Sequence, residues 1–167
     1  MASTTYKTAL RKLSGSAMTE TPAAIFILII LIFLPLLSLI ALAFKYFACY
    51  NLNSLQSTEA ALLAASKAKA GDGLIIRQIP RNWKSNGMGN FVDLTTDLPE
   101  TEIRYEKGQM GANSVQDYFV FVKTSFTMKP FISVAVPLLN GIPGLSAPVT
   151  FQIESSRAVE NPNNVDK

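Results

Sequence analysis

The sequence of 167 residues contains no histidine and a single cysteine, Cys49. Without histidine, the chain lacks the side chain most often used as a base near neutral pH. One thiol cannot close an internal disulfide or supply a thiolate zinc cage. The acidic residues at Glu100–Glu102 and Asp93–Asp97 lack the ligand spacing of a known calcium loop and favour a solvated acidic surface. The composition therefore predicts no enzyme, no cofactor and no metal site.

Charge is also scarce, and it is unevenly placed. The chain has 15 basic and 12 acidic residues, a formal net charge of +3. The excess comes from three basic residues between Lys7 and Lys12 and from Lys45, offset by Glu20, while the region from Cys49 onward is balanced. No basic patch with interleaved aromatic residues occurs, so the sequence predicts no nucleic-acid partner.

An uncharged apolar run of 23 residues extends from Pro22 to Phe44. About 20 helical residues cross a hydrocarbon core of ~30 Å, and this run reaches about 34 Å. The basic residues before it favour a cytoplasmic N-terminus. After it, Lys45 can extend toward water, and Tyr46 and Tyr50 are placed for an interfacial aromatic belt. The pattern predicts one transmembrane helix with the C-terminal region outside the cytoplasm.

A conventional cleaved secretory signal is the alternative interpretation of this run. Such signals have an apolar region of about 7–15 residues and a small-residue cleavage site. Here the run is longer, and Lys45–Ala48 is bulky and charged where that site would lie. A lipoprotein signal ending at Cys49 fits poorly because Tyr46 and Phe47 precede it. We therefore expect the helix to remain in the mature protein.

Two interpretations apply to the residues just before the run. In the first, Gly15 is a flexible joint, Thr21 caps the helix and Pro22 is its first residue. In the second, a membrane protease cuts between Gly15 and Ser16, leaving the new amine four residues from Glu20 on one helical face. A carboxylate near hydrocarbon costs up to ~2.5–3.5 kcal/mol, so a partner for Glu20 is expected. The second interpretation explains why a lone acid stands at the membrane edge.

The order of these features resembles the TadE-like family of tight-adherence (Flp-type) pilus assembly proteins, which are type IV pilin-like pseudopilins. The resemblance covers Ser14–Glu20, Leu34–Leu37 within the apolar run, and the small-residue stretch Glu59–Ser66. It extends more weakly to Phe131–Leu139 and the Gly/Pro turn and strand that follow. The chain departs from the family at residues 21 and 22, where threonine and proline replace the aromatic residue that often follows the acid.

The resemblance implies a minor pilin or pseudopilin in the bacterial inner membrane, cleaved after Gly15 by a prepilin peptidase. It implies that Glu20 pairs with the new amine of Ser16. It also implies contacts with membrane lipid, other pilins and the inner-membrane assembly platform, in homo- or hetero-oligomers. The C-terminal domain would be periplasmic, or extracellular once built into a pilus. Two alternatives remain: a single-pass scaffold anchoring a periplasmic binding domain, and a type II secretion pseudopilin.

Pro35 lies in the middle of the apolar run. Proline removes a backbone donor and clashes with the carbonyl four residues earlier, which kinks or locally unwinds a helix. Membrane helices tolerate this where neighbours satisfy the freed carbonyl. Two interpretations remain open: a static kink, or a soft point at which the helix changes shape on leaving the bilayer.

The expected fold class is α+β, a transmembrane helix that continues into a helical stem packed by a small antiparallel sheet. The predicted divisions are a leader over residues 1–15, the membrane helix over 16–50, an extracytoplasmic domain over 51–160 and a disordered tail over 161–167. Alanine content and leucine spacing predict that the stem helix covers Asn51–Ala70.

The remaining pattern predicts short strands joined by turns. The predicted strands are Leu74–Ile79, Tyr118–Met128, Phe131–Val136 and residues 149–154. Between the first two, Arg81–Gly111 is rich in turn residues and is expected to be irregular. Cys49 is expected to be a small buried apolar group, with a disulfide between subunits as the alternative.

Overall fold

The computed structural model describes residues 4–110, 116–131, 141–161 and 165, with the backbone alone described for residues 4–20, 109–110 and 116. In chain order the elements are α1 (Thr4–Leu62), α2 (Ala65–Ala68), a π-helical segment (Leu74–Gln78), α3 (Ile79–Ser85), α4 (Gly87–Val92), β1 (Glu100–Met110), β2 (Gln116–Met128) and β3 (Val149–Ala158). The chain is thus α+β, with one long apolar helix and a small antiparallel sheet, as the sequence predicts.

The sheet has the order β1-β2-β3, and both strand pairs are antiparallel. The predicted strands at Tyr118–Met128 and 149–154 are confirmed as parts of β2 and β3. The predicted strand Phe131–Val136 falls almost entirely outside the described residues. The helix α1 packs against β2 and β3, so the sheet covers one face of the C-terminal half of α1.

Two predictions between the stem and β2 are wrong. Leu74–Ile79 is not a strand but a π-helical segment that leads into α3, whose first turn accommodates Pro80. The β-branched residues are overridden by packing, because Ile75 is fully buried and its carbonyl accepts a hydrogen bond from α1. Arg81–Gly111 is not irregular: it contains most of α3, all of α4 and the strand β1.

The strand β1 escaped prediction because its pattern is that of an edge strand with a charged outer face. Ile103 is buried and Tyr105 half-buried, whereas the intervening and following side chains of Arg104 and Glu106 are exposed. Charged residues protect the edge of a sheet from pairing with other chains, and they also dilute the hydrophobic signal of the strand.

The predicted continuous helix over Asn51–Ala70 is interrupted. The helix α1 ends at Leu62, and Ala64 adopts an extended conformation with φ −61° and ψ 142° before α2 begins. High alanine content favours an unbroken helix, so packing decides here. The break places Ala65 and Ala68 in buried positions.

Two apolar clusters form the core along α1. The cluster nearer the apolar run is Ala48, Cys49, Leu52, Ile79, Val92, Leu94, Phe126, Met128 and Ile153. The farther cluster is Ala60, Ala61, Ala68, Ile75, Ile103, Tyr118, Val120, Val122 and Val159. Val165 packs against the farther cluster, while residues 162–164 and 166–167 of the predicted tail lie outside the described residues. The core thus follows the second half of α1.

Candidate functional site

The first part of the apolar run is a helix with no covering layer in the described residues. Every side chain from Thr21 to Phe33 is exposed, including Phe26 at 64% and Ile32 at 58%. The segment Thr21–Leu62 of α1 is long and apolar enough to cross a membrane. A bare apolar helix of this length is unfavourable in water, because each buried aliphatic or aromatic side chain gains about 1.5–3 kcal/mol over an exposed one.

From Leu34 onward, one face of α1 is covered. Ser38, Ala41, Lys45 and Ala48 are buried at helical spacing, whereas the opposite face remains exposed. The hydroxyl of Ser38 donates to the carbonyl of Leu34 at 3.0 Å, within the helix. The domain therefore begins to cover α1 inside the apolar run, well before its end at residue 44.

The sequence predicts that Lys45 extends toward water, but in the structure it does not. Its residue exposure is only 2%, and its Nζ donates to the backbone carbonyl of Lys129 at 2.9 Å. The ammonium also lies 5.9 Å from the centroid of the Phe91 ring. Nearby, Asp93 pairs with the side chain of Lys129 at 3.4 Å. Lys45 thus fastens α1 to the loop after β2.

A layer of buried polar side chains joins α1 to the sheet between the two apolar clusters. Asn53 Nδ2 donates to the carbonyls of Val122 and Ile153 at 3.0 and 3.2 Å and to Thr124 Oγ1 at 3.0 Å. Gln56 Nε2 donates to the carbonyl of Ile75 at 2.8 Å. Each buried polar atom needs such partners, so this layer fixes the position of the helix on the sheet.

Sequence reasoning missed this polar layer. A signal was present, because Asn53 and Gln56 lie on the same helical face as Leu52 and Ala60. Polar residues within an apolar face indicate buried hydrogen bonds. Which strand carries their partners is set by tertiary packing, which the helical pattern does not contain.

The residues of the predicted cleavage site have side chains outside the described residues. The backbone of α1 is helical through Gly15, Ser16 and Glu20, and the spacing of the Ser16 amine and the Glu20 carboxylate is not described. Pro35 lies inside α1 and is half-buried. Since proline has no N–H, it cannot donate to the carbonyl of Leu31 in the α-helical pattern.

Cys49 is fully buried in the core cluster nearer the apolar run, as predicted for a small apolar group.

Two carboxylates of the predicted acidic surface pair with lysines: Asp93 with Lys129, as described above, and Asp97 with Lys84. Asp97 pairs with Lys84 at 2.7 Å, and the hydrogen bond and charge of Lys84 lower the pKa of the Asp97 carboxyl. Among the described residues, no three histidine, cysteine or acidic side chains cluster as a metal site would require.

No protein-family model matches the chain, and neither a curated protein nor a solved structure matches it. Function must therefore be inferred from the exposed apolar helix, its junction with the domain and the buried polar layer.

Proposed function

We propose that this protein is a minor pilin or pseudopilin of a tight-adherence, type IV-like pilus. The observation that supports this most is the form of α1. Its first part is apolar and exposed from Thr21 to Phe33, while its second part is the central core element of an α+β domain. A helix with these two halves suits a subunit that resides in a bilayer and later packs laterally with other subunits.

The proposed cycle begins with membrane storage, with the N-terminus in the cytoplasm and the domain in the periplasm. A prepilin peptidase then removes the leader by cutting between Gly15 and Ser16. The new amine of Ser16 neutralises Glu20, since an unpaired carboxylate is unfavourable as it leaves water. Subunits finally exchange lipid contacts for contacts between their apolar helices, together with other pilins and an inner-membrane assembly platform.

The apolar helix needs a nonaqueous environment throughout this cycle. Lipid tails supply it before assembly, and neighbouring helices supply it afterwards. Pro35 lies where the free part of α1 meets the covered part, so a change of helix shape there would alter how the free part leaves the domain. This location favours the soft-point interpretation of Pro35 over a kink with no role.

A single-pass scaffold that keeps its leader is the second candidate. One observation favours it: α1 begins at Thr4, so the peptide bond between Gly15 and Ser16 lies within helical backbone. A protease cleft requires this bond to unwind first, and glycine at the cut lowers the cost of unwinding. A type II secretion pseudopilin shares the cleavage chemistry and differs in its assembly partners.

Replacement of Glu20 tests the assembly step. We expect Glu20→Ala to reach the membrane at the normal level but to yield about tenfold less assembled protein, equivalent to roughly 1.4 kcal/mol. The measurement compares quantitative immunoblots of the membrane fraction with those of the sheared extracellular filament fraction. Glu102→Ala, which removes an exposed carboxylate from β1, is the matched control. Normal assembly of Glu20→Ala would refute the role given to Glu20.

A further inference from the structure

The length of the exposed helix determines how close the domain lies to the bilayer. A hydrocarbon core of about 30 Å takes up roughly 20 helical residues. If Thr21 marks the cytoplasmic side, the opposite boundary falls near Ala41. Yet Ser38 and Ala41 are already buried, at 3% and 6% exposure. Within the described residues, no stretch of bare helix separates the bilayer from the domain.

The end of the domain that lies nearest this bilayer boundary carries exposed apolar side chains. Phe91 and Phe131 are 40% and 50% exposed, and their ring centroids lie 6.0 Å apart. Ile142 is 39% exposed, and Met88, one helical turn before Phe91 on α4, is 57% exposed. We call Met88, Phe91, Phe131 and Ile142 the apolar collar.

Two contacts fix the collar at the depth of the bilayer boundary. The ammonium of Lys45, four residues beyond Ala41, lies 5.9 Å from the Phe91 ring. The loop that follows Ile142 rests on α1, because a Cβ added to Gly144 would lie 2.9 Å from Leu42 Cδ2. With φ +82°, Gly144 also adopts a conformation that favours glycine. The collar therefore lies beside the covered part of α1, within about one turn of the boundary.

We propose that the apolar collar inserts into the outer leaflet of the same bilayer that holds the helix, at the boundary between headgroups and acyl chains. This inference rests on the proposed membrane residence of α1. The collar contacts phospholipid rather than protein, because it lies directly beside the membrane-spanning part of α1. When Thr21–Ala41 lies in hydrocarbon, the collar is already at the membrane interface. Exposed apolar side chains, phenylalanine among them, are favourable at this depth, as on the apolar faces of interfacial helices.

Charge at the collar fits the same placement. Lys129 precedes Phe131 by two residues, and its side chain is 53% exposed. It can reach lipid phosphate while its pairing with Asp93 moderates the local charge. The collar thereby holds the domain directly against the membrane surface, and extraction of a subunit must free the collar as well as the helix.

Fluorescence quenching by brominated lipid tests the collar. The full-length protein carries Trp83→Phe, which removes the single native tryptophan, and one new tryptophan at a time. Phe91→Trp and Phe131→Trp report on the collar. Phe33→Trp reports on the exposed helix. Phe119→Trp is the matched control, because Phe119 is 38% exposed in the part of β2 that packs beside Ala60 and Ala61.

Each variant is reconstituted in phosphatidylcholine vesicles, with or without an equal mixture of lipids brominated on the acyl chains near the headgroup and near the chain end. We expect Phe91→Trp and Phe131→Trp to be quenched at least about half as strongly as Phe33→Trp, since interfacial residues reach ~5–10 Å into this boundary. Phe119→Trp should show no quenching. Circular dichroism of each variant verifies that the domain remains folded.

The outcomes separate the two proposals. Quenching of Phe33→Trp without quenching of either collar tryptophan overturns the collar and leaves the membrane helix in place. Absence of quenching at Phe33→Trp contradicts membrane residence itself, and the collar with it. Equal quenching at Phe119→Trp and Phe131→Trp would also overturn the collar, because the domain would then contact lipid without a preferred end.

Discussion

The hydroxyl of Thr124 on β2 donates a hydrogen bond to the side-chain carbonyl of Gln56 on α1, at 3.0 Å. The same Thr124 oxygen accepts a hydrogen bond from Asn53 Nδ2 at 3.0 Å. All three side chains are fully buried, between the two apolar clusters. This link fixes the helix in one register, and so fixes the distance between the domain and the free apolar helix.

Removal of the Thr124 hydroxyl should therefore be costly. Thr124→Val keeps the shape of the side chain but deprives the buried Gln56 carbonyl of this donor. We expect the free energy of unfolding to fall by about 1–3 kcal/mol. Chemical denaturation of the full-length protein in detergent micelles, followed by circular dichroism, measures the change.

Thr150→Val is the matched control for this experiment. Thr150 is exposed on β3, where its hydroxyl contacts that of Thr127 at 2.9 Å. Exposed substitutions of this kind change the free energy of unfolding by about 0.5 kcal/mol or less. Equal stability of Thr124→Val and Thr150→Val would show that the polar layer does not fix the helix.

The two glycines of α4 should respond differently to alanine. A Cβ on Gly89 would overlap the carbonyl oxygen of Trp83 and Lys84 Cα, both backbone atoms that cannot move alone. A Cβ on Gly87 meets nothing within 4 Å. Gly89→Ala should lower the free energy of unfolding by about 1–3 kcal/mol or more, as overpacked sites do.

Gly87→Ala should instead be neutral, or stabilising by up to about 1 kcal/mol through reduced entropy of the unfolded chain. The melting temperatures of both variants, followed by near-ultraviolet circular dichroism, give the comparison. Equal melting temperatures would mean that α4 does not pack on α3 as described.

Cys49 should be unreactive in the folded protein. Its side chain is fully buried in the core cluster nearer the apolar run, so neither a maleimide reagent nor a second subunit can reach it. We expect labelling only after denaturation, and no disulfide-linked dimer on a nonreducing gel. Cys49→Ala/Ser66→Cys moves the thiol to an exposed position and should label at once. Rapid labelling of native Cys49 would contradict its burial.

The sequence predicts those parts of the fold in which the local pattern and the packing agree. The apolar run, the aromatic and valine-rich strand β2 and the alternating strand β3 are of this kind, and so is the burial of Cys49. The pattern fails where tertiary contacts decide. Leu74–Ile79 has strand propensity but is held in a π-helical segment by the burial of Ile75.

The junction between span and domain could not be predicted for a related reason. Lys45 follows an apolar run, which normally indicates a side chain in water at the membrane surface. Its burial depends on the carbonyl of Lys129, a residue 84 positions away. The collar likewise combines residues from α4 and from the two described ends of the connection between β2 and β3, whose proximity exists only in the folded chain. Gly15, Ser16 and Glu20 remain predictions, because their side chains lie outside the described residues.

Processing after Gly15 is the central claim, and the N-terminus of the mature protein tests it most directly. Intact mass and N-terminal sequencing of protein purified from its native membrane should give a chain that starts at Ser16. A start at Met1 or Ala2 would contradict prepilin-type processing and favour the single-pass scaffold. A start after Ala48 would mean that the apolar run is a secretion signal rather than an anchor.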